Sequence, residues 1–163
     1  METESQSGAP SSLEAPRGTL DGRVDEKGRL KLPAAMAQYL EAIGERKVFV
    51  TTLNLQTALI YPISVWRKTE EMLQQPGEDA DTRADVAFVA NHYGEDVELD
   101  AQGRVLLPTN LRRELELEKD EVHLLFYKQR IEVYGSKVYG ERLAAAKENL
   151  ASKVKALEKT GIR

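Results

Sequence analysis

Apolar and polar side chains alternate along residues 29–32. Leu30 and Leu32 fall on one side of an extended chain, Arg29 and Lys31 on the other, a period of two that predicts a strand. The period then changes. Met36 and Leu40 stand four apart behind Pro33, a residue well tolerated in the first turn of a helix. The apolar runs at Val48–Thr52 and Ile60-Tyr61 predict further strands, and Trp66 falls in a following helix. The whole succession then returns. Leu30, Pro33, Met36 and Leu40 are matched 75 positions later by Val105, Pro108, Leu111 and Leu115. The run from Val48 is matched from Val122 at an offset of 74, and Ile60-Tyr61 and Trp66 by Val133-Tyr134 and Tyr139 at 73. The shrinking offset places deletions in loops, where they are best tolerated. Each copy reads strand, turn, strand, short helix, strand, turn, strand, helix. The chain is therefore a duplicated β-rich module.

This pattern sets the expected boundaries. Residues 1–17, rich in Ser, Gly, Pro and Glu, read as a disordered tail. The first module spans 18–73 and the second 95–140. A linker and helix occupy 74–94, with Asp79 or Asp81 as cap of a helix from about Thr82 to Tyr93 that ends near Gly94. Residues 141–163 form a C-terminal amphipathic helix and tail. Leu143, Ala146, Leu150, Val154 and Leu157 give it one apolar stripe, too short for a coiled coil and expected to pack on its own protein.

Composition narrows the class. The chain has 163 residues, no cysteine and a net charge of −4. Disulfides and thiolate metal sites are excluded. A generic polycation for nucleic acid is excluded as well, so any such contact must be local and shaped. Residues 1–18 lack the basic start and apolar stretch of a secretory signal, and no run is long enough to span a membrane. No phosphate-binding loop, nucleophile elbow or zinc-protease motif is present, and His92-x-x-Glu95-Asp96 lacks a strong metal spacing. No enzymatic role, cofactor, metal or small-molecule substrate is expected.

The chemistry that repeats is a turn. VDEKGRLKLP (24–33) and LDAQGRVLLP (99–108) share Asp25/Asp100, Gly28/Gly103, Arg29/Arg104, Leu32/Leu107 and Pro33/Pro108. Glycine supplies the positive φ of a tight turn. Aspartate at the turn's start accepts backbone N–H groups two or more residues on. Arginine opens the next strand. Two roles are open to the pair. Asp and Arg brace a hairpin through an exposed ion pair of little energetic weight, or Asp orients the Arg fork outward to a phosphate or guanine edge. The two can coexist. In the second copy Leu106 replaces Lys31, so both faces beside Arg104 are expected to be buried, the outer one against a partner subunit.

The paired turns, the stretch IYPISVW (60–66), LDAQGRVLLPTNLR (99–112) and the linking helix resemble the MraZ family of bacterial regulators over about residues 18–143. That resemblance implies an α+β fold of duplicated AbrB-like swapped-hairpin modules, forming a pseudo-two-fold barrel with short flanking helices. It implies a ring-shaped homo-oligomer in the cytoplasm, associated with the nucleoid. Its partner would be double-stranded promoter DNA, bound at short direct repeats upstream of the division and cell-wall gene cluster, with repression of that cluster. The family's motif residues fall on Asp25, Lys27, Gly28 and Arg29, and again on Asp100 and Arg104. Arg23 and Lys31 add charge beside the first turn. The helix after Pro33 lacks the basic residue common there, and the linking helix has only Arg83.

Charge separates the copies. Residues 17–31 hold five basic against three acidic residues, net +2, and residues 94–108 hold one against four, net −3. The first turn is therefore expected to do most of the DNA work, and the second to be mainly structural. The rival reading is an oligomeric protein-interaction or antitoxin-like module with little DNA binding, which the acidic total favours.

Overall fold

The computed structural model describes residues 14–163. Most of the N-terminal segment, residues 1–13, lies outside the described residues. The elements are β1 (Leu20–Gly22), β2 (Arg29–Lys31), α1 (Ala34–Ala42), β3 (Lys47–Thr51), β4 (Ala58–Pro62), α2 (Ile63–Leu73) and α3 (Ala80–Tyr93) in the first half. The second half contributes β5 (Glu95–Glu98), β6 (Arg104–Leu106), α4 (Thr109–Leu115), β7 (Val122–Tyr127), β8 (Arg130–Gly135), α5 (Ser136–Lys147) and α6 (Leu150–Glu158). The expected order of strands and helices is present in both copies.

The strands form a six-stranded antiparallel sheet, β1-β7-β8-β4-β3-β5, and a two-stranded ribbon, β2-β6. They do not close into a barrel. Both sheets obey one internal two-fold. In the ribbon, Leu30 pairs with Val105, its own repeat equivalent. In the large sheet, Leu59 pairs with Glu132, again its equivalent. The edges are exchanged between copies: β1 pairs with β7 of the second copy, while β5 pairs with β3 of the first. Neither half completes its sheet alone.

One core joins the halves. Leu30, Leu32, Met36, Leu40, Val48 and Ile60 pack in a single cluster with Val105, Leu107, Leu111, Leu115, Val122 and Ile131. Each fully buried aliphatic side chain stabilises by about 1.5–3 kcal/mol. The apolar positions of α1 and α4 are the ones buried, Met36 and Leu40 in one helix and Leu111 and Leu115 in the other.

A second cluster belongs to the first copy alone. Phe49 stacks on Trp66 at 4.5 Å between centroids, Tyr61 lies 4.9 Å from Trp66, and Ala90 of α3 closes the group. Gly94 permits this approach, since a Cβ there would stand 2.3 Å from Phe49 Cζ. Asp79 is the N-cap of α3 as expected, but its side chain makes no capping hydrogen bond. In the second copy, His123 takes the place of Phe49, donates its Nδ1–H to Asp21 Oδ1 at 2.9 Å and stacks on Tyr139 at 4.2 Å. Trp66 and Tyr139 thus occupy equivalent corners.

One expectation needs correction. The C-terminal segment is two helices rather than one, broken where Asn149 takes φ 54°. Its first helix, α5, lies against β7 and β8, but the second half does not pack: every residue from Lys147 to Arg163 is exposed. Within the single chain Leu106 is 47 % exposed, on the outer face of the ribbon whose inner face is filled by Leu30 and Val105.

Candidate nucleic-acid interface

Each D-x-x-x-R turn is built by its aspartate. In the first, Gly28 N–H donates to Asp25 O at 3.0 Å and Asp25 N–H to Arg29 O at 2.8 Å. Asp25 Oδ1 accepts the Lys27 and Arg29 backbone N–H groups, both at 2.9 Å, while Oδ2 accepts Arg29 Nε–H at 2.9 Å. Gly28 supplies φ +83°. The second turn repeats this scheme. Asp100 Oδ1 accepts from Gln102 N–H at 2.9 Å and Arg104 N–H at 2.8 Å, and Oδ2 accepts Arg104 Nε–H at 2.8 Å, with Gly103 at φ +78°. Backbone donation from Arg29 holds the Asp25 carboxyl below its usual value, aided by the Arg29 side chain and Lys27 N–H. Arg104 does the same for Asp100. The aspartate therefore braces the hairpin and also fixes the guanidinium by its Nε edge.

The ribbon gathers the two turns. Leu32 N–H donates to Gly103 O and Leu107 N–H to Gly28 O, each at 2.9 Å, so each strand end is tied to the opposite turn. Arg29 lies across from Leu106, and Lys31 across from Arg104. Cross-strand partners share a face. With Leu30 and Val105 turned to the core, the outer face carries Arg29, Lys31, Arg104 and Leu106. Arg29 and Arg104 side chains are 30 % and 26 % exposed. Lys27 is exposed at the first turn's tip, and Arg23 is exposed between β1 and β2.

The turns differ in how much of the arginine remains available. Arg104 also gives its Nη2 to Gln102 Oε1. Arg29 faces Lys27 at the corresponding position, which cannot accept, and its hydrogen bonds among the described residues are those to Asp25 and along the strand.

Sequence reading missed Arg112. This α4 residue lies over the first turn, and a Cβ added to Gly28 would stand 1.9 Å from Arg112 Nη1. Arg112 donates to Leu107 O and Glu118 Oε2, both at 2.8 Å, and to Thr109 Oγ1 at 3.2 Å. Its side chain is only 13 % exposed. The repeat equivalent is Ala37, whose Cβ stands 3.4 Å from a Cβ on Gly103. The register held the clue: 112 and 37 differ by the repeat offset, and crossed turns put each helix over the other copy's glycine. Without the crossing, nothing in the local sequence connects Arg112 to Gly28.

No helix among the described residues is long and apolar enough to cross a membrane. Among the same residues no group of three or more His, Cys, Asp or Glu side chains is placed to hold a metal.

Comparison with known proteins agrees with this anatomy. A family model described as "MraZ protein, putative antitoxin-like" matches residues 94–159, the second copy and the helices after it. The chain is 41% identical over 106 residues to the Transcriptional regulator MraZ of Acidobacterium capsulatum, covering 65% of this chain and 73% of that protein. It is 38% identical over 141 residues to the protein of the same name from Desulfitobacterium hafniense, covering 85% of this chain and 94% of the other. The Koribacter versatilis protein of that name is 38% identical over 114 residues, covering 69% and 77%.

Proposed function

The chain belongs to the MraZ family, and from that premise we propose that it is a transcriptional regulator that binds promoter DNA through the outer face of the β2–β6 ribbon. The observation that carries this reading is the braced pair of arginines on one face. Each guanidinium is held by its Nε edge, which leaves terminal nitrogens directed away from the aspartate. A guanidinium so fixed loses less freedom on meeting a phosphate or the O6/N7 edge of guanine. Lys31, Lys27 and Arg23 add local positive charge on a chain of net −4.

One such face is a weak binder at physiological salt. A ring of copies, each presenting its ribbon, raises the effective concentration of every contact after the first and matches short direct repeats in DNA. The reading is that of a cytoplasmic, nucleoid-associated repressor of its own division and cell-wall gene cluster. Mobility shift on DNA upstream of its own gene, with repeat number varied, tests it. Affinity should rise steeply with repeat number and fall steeply with salt. A single repeat bound as tightly as three would overturn it.

The acidic α2–α3 region favours a second reading, an oligomeric protein-interaction or antitoxin-like module. A folded assembly that retards no upstream DNA at low salt would select it.

A further inference from the structure

The internal two-fold leaves one place unmatched. In the first copy α3 covers the face made by α2 and β3, where Thr51 Oγ1–H donates to Ala90 O at 2.6 Å. The matching face of the second copy is made by α5 and β7. There Leu125 stands for Thr51, Tyr139 for Trp66, Arg142 for Thr69 and Ala146 for Leu73. No described helix lies on it; it is an open groove of about 590 Å³. Residues 5–18, which precede β1 at the offset by which α3 precedes β5, contain Gly8, Pro10 and Pro16 and lack the apolar spacing of a packed helix.

Charge says what suits the groove. Residues 127–163 carry nine basic against four acidic side chains, net +5. Residues 63–98 carry three basic against nine acidic, net −6. The outer face of α3 is formed by Asp81, Asp85, Phe88 and His92, all exposed, and Phe88 is 77 % exposed. Beyond the groove, α6 exposes Leu150, Val154 and Leu157 among Lys153, Lys155 and Lys159. An acidic helix face with an aromatic centre and a basic face with an aliphatic stripe thus sit on opposite copies of the repeat.

From this we infer that the groove along α5 and the exposed stripe of α6 beyond it together receive the α2–α3 helical hairpin of a second copy, with the hairpin along the groove and Phe88 against Val154 and Leu157 of the stripe. The inference rests on the assembly part of the proposed function and names its interface. Such a contact joins unlike surfaces, so it propagates head to tail, the kind of contact from which a ring is built when the rotation closes. Both surfaces lie outside the arginine ribbon, which stays available to DNA. Opposite net charges speed the encounter and make the assembly sensitive to salt.

The test uses two full-length variants followed by sedimentation velocity. Asp85→Lys with Phe88→Lys spoils the hairpin face; Val154→Glu with Leu157→Glu spoils the groove face. The wild type should sediment as a closed assembly and each variant alone as a monomer. Their equimolar mixture should give a heterodimer and nothing larger, since each retains one intact face. That heterodimer is also proof that both variants fold; the milder pair Phe88→Ser and Leu157→Ser is run beside them. Either variant assembling like wild type would overturn the inference, as would a mixture of folded variants that stays monomeric. A monomeric wild type, as expected if the chain's own N-terminal segment filled the groove, would overturn both this interface and the ring. Arg29→Ala should leave the assembly intact while losing DNA, so a failure of the DNA reading is seen separately.

Discussion

Leu30 and Val105 face each other across the β2–β6 ribbon, each fully buried and each the repeat equivalent of the other. The pair packs into the core shared by the two copies. Leu30→Ala therefore opens a void where the halves meet. A loss of about 2–5 kcal/mol is expected, read by urea titration. The transition should remain single for both halves.

Gly28 and Gly103 are equivalent in backbone but not in surroundings. Alanine at either meets the cost of a left-handed backbone, about 1–2 kcal/mol. At Gly28 it also displaces Arg112 from its bonds with Leu107 and Glu118. Gly28→Ala should exceed Gly103→Ala by about 1.5–3 kcal/mol, the range for hydrogen bonds to charged groups. Combining it with Arg112→Ala should cost less than the sum of the single changes, as measured by a double-mutant cycle.

Arg29→Ala and Arg104→Ala should weaken DNA binding unequally. Arg29 faces less internal competition and a basic neighbourhood, so its loss should cost about 1–3 kcal/mol. The Arg104 variant should lose less, because Gln102 already occupies one of its nitrogens. Fluorescence anisotropy on assembled protein decides this, and equal losses would refute the division of labour between the turns.

Acid should loosen both turns together. Asp25 and Asp100 are each held below the ordinary carboxyl value of 3.8, chiefly by backbone N–H donation. A lowered folded-state value means that their contribution is fully present above 3.8 and is lost as pH falls through the folded value. The stability gap between wild type and Asp25→Asn should therefore be constant near neutrality and shrink only below that point. Thermal melts from pH 7 to strong acid measure the gap; one that closed already near pH 6 would contradict the geometry.

Thr51→Val should loosen α3 without touching the ribbon. It removes the buried bond to Ala90 O and should cost about 1 kcal/mol. Amide exchange along Ala80–Tyr93 should quicken while the β2–β6 ribbon stays protected.

Much of this was legible in the sequence because it recurs in it. Leu30/Val105, Pro33/Pro108 and Trp66/Tyr139 recur in the same order at offsets that change only in loops, so the order of elements and the D-x-x-x-R turns follow from one chain. The crossing of the halves was not legible from periodicity, since alternation fixes which face of a strand is buried but not which strand lies beside it. Leu106 shows the limit: alternation marks it as an apolar residue on the outer face, and only the pairing with Arg29 shows that no part of its own sheet covers it. Arg112 was hidden for the same reason, being remote in sequence from the turn it covers. The exposed stripe of α6 looked like a packing face, and nothing local states whose core it joins.

The exchanged edges also set a timetable. Asp21 and His123, bonded across β1 and β7, are 102 positions apart. A ribosome making the chain at roughly 5–20 residues per second leaves β1 and the inner edge of β4 waiting several seconds for their partners. During that interval the nascent first half offers unpaired strand edges to any like chain on a neighbouring ribosome. Polysomes crowded on one message would therefore be where mispaired, strand-exchanged products of this protein first form, and a chaperone that shields edges co-translationally would raise its yield more than one acting after release.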